Sequence, residues 1–359
     1  MIWYLLNIFI IVIAWFWPAE QEVEVENNRI RSKRTCIAGA IDWIILSGLR
    51  GLNIGADTEA YALSFEQSAD KSFESLWQNV IMKYFYNMDI EGKDFGYYFL
   101  EKVFRSFTSS YTLWLLFIAI IFTIPMAIFI YKYSSNACIS WIIYSTLFYS
   151  FFAITGHRQT IATAIVVWGG LECIRKRKLI PFLLLTFVAY TIHASAICVL
   201  PFYWLSQIKL TKIKLLEYMF CIALAFLFRY RFLAFLQSIV GYESYQQYET
   251  ATAGIFMFLL IAIAIFVFAF WENIQVSDNQ ILDISVNALM IACCFSSLLL
   301  INPSFMRVVQ YYSIFLLFLI PELKHAFCDN SKILFLRIIG VIMVLLLIRQ
   351  MPSYNFVFM

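Results

Sequence analysis

Long apolar runs occupy more than half of this chain and decide what it can fold into. About twelve runs stand between charged and turn residues: 2–17, 36–49, 111–131, 138–155, 159–174, 179–193, 195–207, 215–233, 254–271, 281–301, 308–321 and 333–349. A helix needs about 20 apolar residues to cross a bilayer. With 62% hydrophobic and 14% charged residues, the composition excludes both a soluble globular protein and a disordered chain. We expect an all-α polytopic membrane protein, one domain over 1–359, with about 12 transmembrane helices (10 to 13).

One long polar segment, residues 51–110, interrupts these runs, and acidic residues outnumber basic ones within it. Apolar side chains repeat at helical spacing over 73–84 and again over 99–107. The pattern predicts a helical loop with amphipathic helices, of the kind that can lie flat on a membrane surface.

Lysines and arginines of the other loops indicate which side of the membrane each loop occupies. They cluster within 29–34, at 132, and within 175–178, 209–214 and 324–332, which all fall on one side if the twelve spans hold. The charge rule places that side in the cytoplasm, so both termini and loop 51–110 are predicted to lie outside. The weakest span is 36–49, which contains Asp42. Omitting it would invert every later span and place 175–178 outside.

Six arginines fall at the predicted outer ends of spans, where the charge rule predicts few: Arg50, Arg158, Arg229, Arg231, Arg307 and Arg349. A charge within a span costs roughly 2.5–3.5 kcal/mol, so several in one leaflet need a reason. Guanidinium groups bind phosphate oxygens in pairs and stay charged. Snorkelling to lipid headgroups explains Arg229, Arg231 and Arg349 equally well. The other three lie in polar clusters, which indicates an outward basic pocket for a phosphorylated lipid.

The polar neighbours of these arginines are further candidates for binding substrate or for catalysis. Asp57 and Tyr61 follow Arg50, His157 and Gln159 flank Arg158, and Tyr311 follows Arg307.

Two other polar positions stand near the same predicted face. His193 ends a span and is followed by Ser195; a structural hydrogen-bonding role and a catalytic one are equally open for it. Tyr245 belongs to a tyrosine stripe at i, i+3 and i+6 that could stack on sugar rings. An interfacial aromatic belt is the simpler explanation of that stripe.

In this order, the clusters resemble the EpsG branch of the Wzy-type exopolysaccharide and O-antigen polymerases. The segment RGLNIGADTEAY at 50–61 is similar to that family's arginine, glycine, aspartate and tyrosine pattern. HRQTIA at 157–162 resembles its arginine-glutamine helix start, HASA at 193–196 its histidine motif, and Arg307 with Tyr311 its late arginine. The resemblance runs along roughly residues 45–315.

The resemblance implies a glycosyltransferase in the bacterial cytoplasmic membrane that moves a growing glycan from undecaprenyl pyrophosphate onto the next lipid-linked repeat unit. Arg158 and Arg307 would stabilise the leaving pyrophosphate, and Arg50 would orient or bind the second lipid. Asp57 and His193 are equal candidates for the general base, with His157 behind them.

The resemblance further implies a chain-length regulator and a flippase as partners. We expect no cofactor, no metal ion and no nucleic acid. The acidic pairs at 57–59 and 89–91 resemble metal motifs of other lipid-dependent glycosyltransferases, and this is the one pattern that points to a metal.

Two other classes stay open. A membrane ligase or acyltransferase acting on glycans would share the arginine pocket. A flippase for the same lipid-linked sugar would need charges lining both halves of a cavity, often with internal repeats, and this chain shows no repeat.

Overall fold

The computed structural model describes residues 1–18, 24–86, 94–240, 251–275, 279–350 and 353–358. Its α-helices are α1 Ile2–Phe16, α2 Glu24–Gly48, α3 Thr58–Gln67, α4 Phe73–Tyr86, α5 Phe95–Phe107, α6 Tyr111–Tyr133, α7 Ala137–Ile143, α8 His157–Thr163, α9 Gly170–Arg175, α10 Leu179–Ile192, α11 Phe202–Leu205, α12 Lys212–Leu227, α13 Arg229–Val240, α14 Ala251–Ile274, α15 Gln280–Ser296, α16 Met306–Ser313, α17 Leu316–Glu322 and α18 Asp329–Gln350. The all-α class is confirmed.

Tighter and wider helical turns extend several of these helices. Wider π-type turns cover Tyr144–Phe148, Ser150–Thr155 and Ala164–Gly169. Tighter 3₁₀ turns cover Ala194–Val199, Ser297–Leu300, Pro303–Phe305 and Leu323–Ala326. Because π turns join α7 to residue 155 and α8 to α9, the predicted runs 138–155 and 159–174 lie in helical structure along their length.

The helices of the structure differ in whether they are long enough to span a membrane. Within the described ranges, four helices are long and apolar enough to cross a membrane: Tyr111–Tyr133, Gly254–Ile274, Gln280–Leu300 and Asp329–Gln350. Two bent pairs, 212–236 and 303–326, would raise the number to six if each is one span. Several other runs form shorter apolar helices, such as Ile2–Phe16 and Leu179–Ile192. The figure of twelve spans stays a prediction.

The polar residue that made 36–49 the weakest run has partners inside the bundle. On α2, the Asp42 carboxylate accepts a hydrogen bond from the Asn7 amide of α1. Ser145 donates to Asn7 (2.8 Å), and Trp43 donates to Ser145 (2.9 Å). A buried polar group that is hydrogen-bonded avoids most of its desolvation cost. Asp42 is therefore compatible with a helix packed among apolar neighbours.

The two ends of the bundle are marked by different residues. At one end, Tyr111 at the start of α6 lies beside the ring of His157, with 6.3 Å between ring centroids. At the other end, Lys132 of α6 and Arg175 of α9 both pair with Glu172, at 2.7 and 3.2 Å. About 30 Å of helix separates the two ends. Lys132 and Arg175, which belong to two of the basic clusters of the sequence, thus lie opposite His157.

The chain termini lie at the His157 end. Residues 49–51 pair with the C-terminal segment through Gly51 N–H to the Asn355 carbonyl (2.8 Å) and Val357 N–H to the Leu49 carbonyl (2.9 Å). Trp3 near the N-terminus packs edge-on against Phe356, 4.9 Å between ring centroids. Which side of the membrane this end faces stays a prediction.

The segment between α2 and α6 folds into α3, α4 and α5, and the two helices expected from its spacing are confirmed. Helix α5 packs on α10, and Gly96 lies at the crossing. A methyl group at Gly96 would come within 2.3 Å of the Thr191 hydroxyl oxygen and 2.9 Å of the Thr191 carbonyl carbon. Glycine at this position therefore sets how closely α5 approaches the end of α10.

We expect Gly96→Ala to lower the melting temperature of the purified protein, because the added methyl group meets backbone that cannot rotate away. Overpacking of this kind costs about 1–3 kcal/mol. Gly254→Ala on α14 is the matched control, since nothing lies within 4 Å of its added Cβ. Thermal unfolding followed by intrinsic fluorescence measures both. Equal stability of the two variants would contradict the tight crossing.

Candidate functional site

Three breaks in the helices create the site. Gly156 separates the helical run ending at Thr155 from α8, with φ −97° and ψ 63°. His193 has extended backbone between α10 and the turn that follows. Asn302 is also extended and precedes the turn that leads into α16. Irregular backbone among apolar helices is tolerated where it is buried in protein or lines a cavity. Arg158, Ser195 and Arg307 each follow one of these breaks.

The carboxylate of Asp94 joins two of the breaks. Its Oδ2 lies 3.3 Å from a terminal nitrogen of Arg158 and 3.2 Å from Nδ1 of His193. Its Oδ1 accepts the backbone N–H of Ala194 at 2.9 Å. Burial alone raises the pKa of Asp94, but the His193 hydrogen bond and charge, the Ala194 N–H and Arg158 together bring the pKa below its ordinary value. Asp94 is therefore held ionised between two cationic or donating groups.

Arg158 lies in an aromatic box. Its guanidinium carbon is 5.7, 5.2 and 5.0 Å from the ring centroids of Tyr61, Tyr97 and Tyr98. It also donates to the Tyr98 hydroxyl at 2.9 Å. Cation–π contacts and the Asp94 pair fix the orientation of the planar group. About a quarter of the side chain stays exposed, so a ligand can still reach it.

Gln159 brings the second arginine to the same place. Its side-chain amide donates to the backbone carbonyl of Arg307 at 2.8 Å, which joins the start of α8 to the start of α16. Its amide oxygen accepts from Ser195 at 3.4 Å, and Ser195 lies 3.3 Å from the Tyr311 hydroxyl. Within the described part of the chain, the Arg307 guanidinium makes no hydrogen bond or ion pair.

Four charged residues act electrostatically on the Tyr61 hydroxyl. Burial is the largest influence and raises the pKa of Tyr61; the positive charges of Arg158 and Arg307 lower it, and the negative charges of Asp57 and Asp94 raise it. All four charges therefore act on one phenol. Asp57 is exposed at the start of α3, while Tyr61, Arg158 and Arg307 are partly exposed. These four side chains form the accessible surface of the site.

Arg50 and His157 lie beneath that surface. Arg50 is 2% exposed and donates to the carbonyls of Ser47 and Ile154, the latter at 2.9 Å. Its other contact is Nε2 of His157 at 2.6 Å, and the imidazole stacks on Tyr61 with 4.2 Å between centroids. A nitrogen that accepts from a guanidinium carries no proton, so His157 is neutral. His157 thus links Arg50 to Tyr61, and protein groups enclose the Arg50 guanidinium; a role for Arg50 towards the second lipid stays a prediction.

One ring nitrogen of His193 makes a hydrogen bond to a described residue, and the other does not. With Nδ1 donating to Asp94, Nε2 is the acceptor, and it makes no hydrogen bond to any described residue. A base oriented by a carboxylate on its far side is the arrangement found in nucleophile-activating dyads and triads.

Sequence reasoning missed Asp94, Tyr97 and Tyr98. Asp94 directly precedes an amphipathic helical pattern, a position typical of a helix cap, and this was the available signal. Its side chain makes no cap hydrogen bond and turns to Arg158 and His193 instead, with a left-handed backbone (φ 72°).

Other candidates lie elsewhere. Tyr245 and the acidic pair at 89–91 are outside the described residues. Arg229 donates to the Phe226 carbonyl at 3.1 Å, and Arg349 is exposed near the end of α18. Across the described ranges, no group of three or more histidine, cysteine, aspartate or glutamate side chains is arranged to hold a metal ion.

Comparison with known proteins gives one match. A sequence model described as the EpsG family covers residues 38–358, which includes every site residue named above and leaves out α1 and the first half of α2. No curated protein and no solved structure matches the chain.

A second buried acid lies behind the aromatic box. Glu101 on α5 is fully buried, and its Oε2 accepts a hydrogen bond from Ser64 of α3 at 2.9 Å. Burial raises the pKa of Glu101 to about 7, although Ser64, Tyr97 and the charge of Arg158 act in the opposite direction. In an unfolded chain a glutamate titrates near pH 4.3. The folded state therefore favours the protonated form, and Glu101 lowers stability as the pH rises from about 4.3 to about 7.

We expect Glu101→Gln to raise the melting temperature at pH 8 and to change it little at pH 5. The neutral amide removes a buried charge whose cost is on the order of 3 kcal/mol at most. Glu66→Gln on the exposed face of α3 is the control and should have no effect at either pH. A loss of stability at pH 8 would mean that the ionised carboxylate stabilises the fold.

Proposed function

Because this chain belongs to the EpsG family, the family of Wzy-type exopolysaccharide and O-antigen polymerases, we propose that it polymerises lipid-linked oligosaccharide repeat units. The donor is a glycan on undecaprenyl pyrophosphate, and the acceptor is the sugar end of the next lipid-linked unit. The reaction takes place at the outer face of the bacterial cytoplasmic membrane, where the charge rule puts the site. A chain-length regulator and a flippase are partners expected of such a system.

The observation that carries the proposal is that Gln159 joins the start of α8, which bears Arg158, to the start of α16, which bears Arg307, and that both arginines act on Tyr61. The acceptor hydroxyl attacks the anomeric carbon, a new glycosidic bond forms, and the bond from that carbon to pyrophosphate breaks. Negative charge then develops on the leaving pyrophosphate. Fixed guanidinium groups stabilise this charge more in the transition state than in the ground state.

The two arginines differ in whether their guanidinium group already pairs with a carboxylate of the protein. Arg158 already pairs with Asp94, which orients it but neutralises part of its charge. Arg307 has no ion pair to a described residue and is partly exposed. We assign Arg307 the principal contact with pyrophosphate and Arg158 a second, oriented contact.

The acceptor proton goes to His193 in this proposal. Asp94 fixes the imidazole through Nδ1, and Nε2 is buried without a hydrogen bond to any described residue, so it can receive a proton from an acceptor hydroxyl that enters the site beside it. The charge of Asp94 stabilises the imidazolium that forms. Asp57 is the other candidate base, since its carboxylate is exposed at the start of α3 and its charge acts on Tyr61.

We expect Arg307→Ala and Arg158→Ala each to abolish long-chain glycan while the protein accumulates normally in the membrane. Arg→Lys at either position should also fail, because an ammonium group cannot present two parallel N–H donors to phosphate. Arg349→Ala, an exposed arginine predicted to lie at the same face, is the control and should leave the polymer intact. The measurement is the glycan ladder of a deletion strain complemented with each variant. Long chains in the Arg307→Ala strain would contradict the assignment.

The same deletion strain separates the polymerase from its rivals. Without a polymerase, cells still display single repeat units attached to their surface acceptor. Without a flippase, no repeat unit reaches the surface, and without a ligase, polymer builds up on the lipid carrier. Either of the last two patterns would overturn the proposed function.

A further inference from the structure

A large cavity opens at the end of the bundle opposite the candidate site. Its volume is about 1220 Å³, and it lies between α1, α2, the end of α6, the start of α7 and α18. Tyr131 on its rim and Tyr111 beside the site are on one helix, about 30 Å apart. Small-molecule pockets measure roughly 300–1,000 Å³, so the cavity has room for something larger.

The rim of the cavity is cationic. Four basic side chains line it: Arg29, Arg31, Lys132 and Arg337. No aspartate or glutamate is among the described residues that line it. Small polar residues, such as Asn136, complete the rim.

These cations are not all engaged within the protein. Lys132 pairs with Glu172 (2.7 Å), and Arg29 donates one N–H to the Tyr131 hydroxyl (3.0 Å). Arg31 and Arg337 make no ion pair or hydrogen bond within the described residues. Two guanidinium groups therefore face a cavity that contains no counter-charge, which suits a phosphate.

The inner wall of the cavity is apolar. Ile8 and Val12 of α1, Ile139 of α7 and Val344 of α18 line it. Helix α18 is largely uncovered by the rest of the chain, with only 11% of its most apolar window buried. The cavity is thus bounded on one side by an apolar helix that is largely exposed at the surface of the protein. A soluble phosphate would leave this wall unoccupied.

We propose that the cavity binds one anionic phospholipid of the adjoining leaflet, with its phosphate on Arg29, Arg31 and Arg337 and an acyl chain along Ile139 and Val344. Basic pockets between membrane helices bind anionic headgroups in this way. The charge rule assigns this leaflet to the cytoplasmic side, opposite the glycan-polymerising site. The bound lipid would fill the space between α7 and α18.

Native mass spectrometry of the full chain in detergent tests the proposal, with dioleoyl phosphatidylglycerol and dioleoyl phosphatidylcholine as probes. We expect at least a tenfold preference for phosphatidylglycerol. The variant Arg29→Gln/Arg31→Gln/Arg337→Gln should reduce its retention to the phosphatidylcholine level. The control Lys33→Gln/Arg177→Gln/Lys178→Gln removes the same charge at the same end but outside the cavity. Equal retention of the two lipids, or equal loss in the control, would overturn the proposal.

A neutral variant tests the apolar part independently. Gly340 lines the cavity, and a Cβ there meets just Ile139, at an ordinary 3.5 Å. Gly340→Leu should therefore fold and lower phosphatidylglycerol retention severalfold by filling the cavity. Unchanged retention would place the lipid elsewhere.

Excess glycerol 1-phosphate should not displace the lipid, and displacement would show that the cavity holds a headgroup alone. None of these readouts depends on polymer synthesis.

Discussion

The carboxylate of Asp94 is the interaction on which the arrangement of the site depends. It lies just before α5, yet it binds Arg158 after one helix break and His193 with Ala194 at another. A buried carboxylate is tolerated when cations and N–H donors surround it. Because Gly96 allows α5 to approach α10 closely, the loop can bring this charge to the bundle. The segment between α2 and α6 thus supplies part of the candidate site.

Much of the site was predictable from local sequence, because its arginines stand where a membrane helix should not carry charge. Arg158 and Arg307 were selected on that ground, and the structure brings the starts of α8 and α16 together through Gln159. Their roles remain proposals. Asp94 could not be selected in the same way. It is 64 residues from Arg158 and 99 from His193, in a segment with many other acids, and no periodicity encodes such a pairing.

The all-α class followed from composition, while the number of spans did not. A run such as 179–193 is apolar throughout but ends in a break at His193, and the helix before it has 14 residues. Whether a short helix crosses the membrane depends on how its neighbours cover it, and hydropathy does not contain that information. Asp42 shows the reverse case, where a charge that weakens a predicted span is paired with Asn7 from another helix.

The three central arginines have different surroundings, which separates their roles in the proposed reaction. Arg50 donates to backbone carbonyls and to His157 through its terminal nitrogens, so it stabilises the break at 154–157. Arg158 shares its charge with Asp94, and an incoming phosphate must compete with that carboxylate. Arg307 alone of the three has no partner among the described residues. In the proposed reaction, the negative charge on the leaving pyrophosphate grows as the bond to the anomeric carbon breaks, so both guanidinium groups stabilise the transition state more than the bound donor. Arg158 contributes less of this stabilisation than Arg307, because Asp94 already neutralises part of its charge.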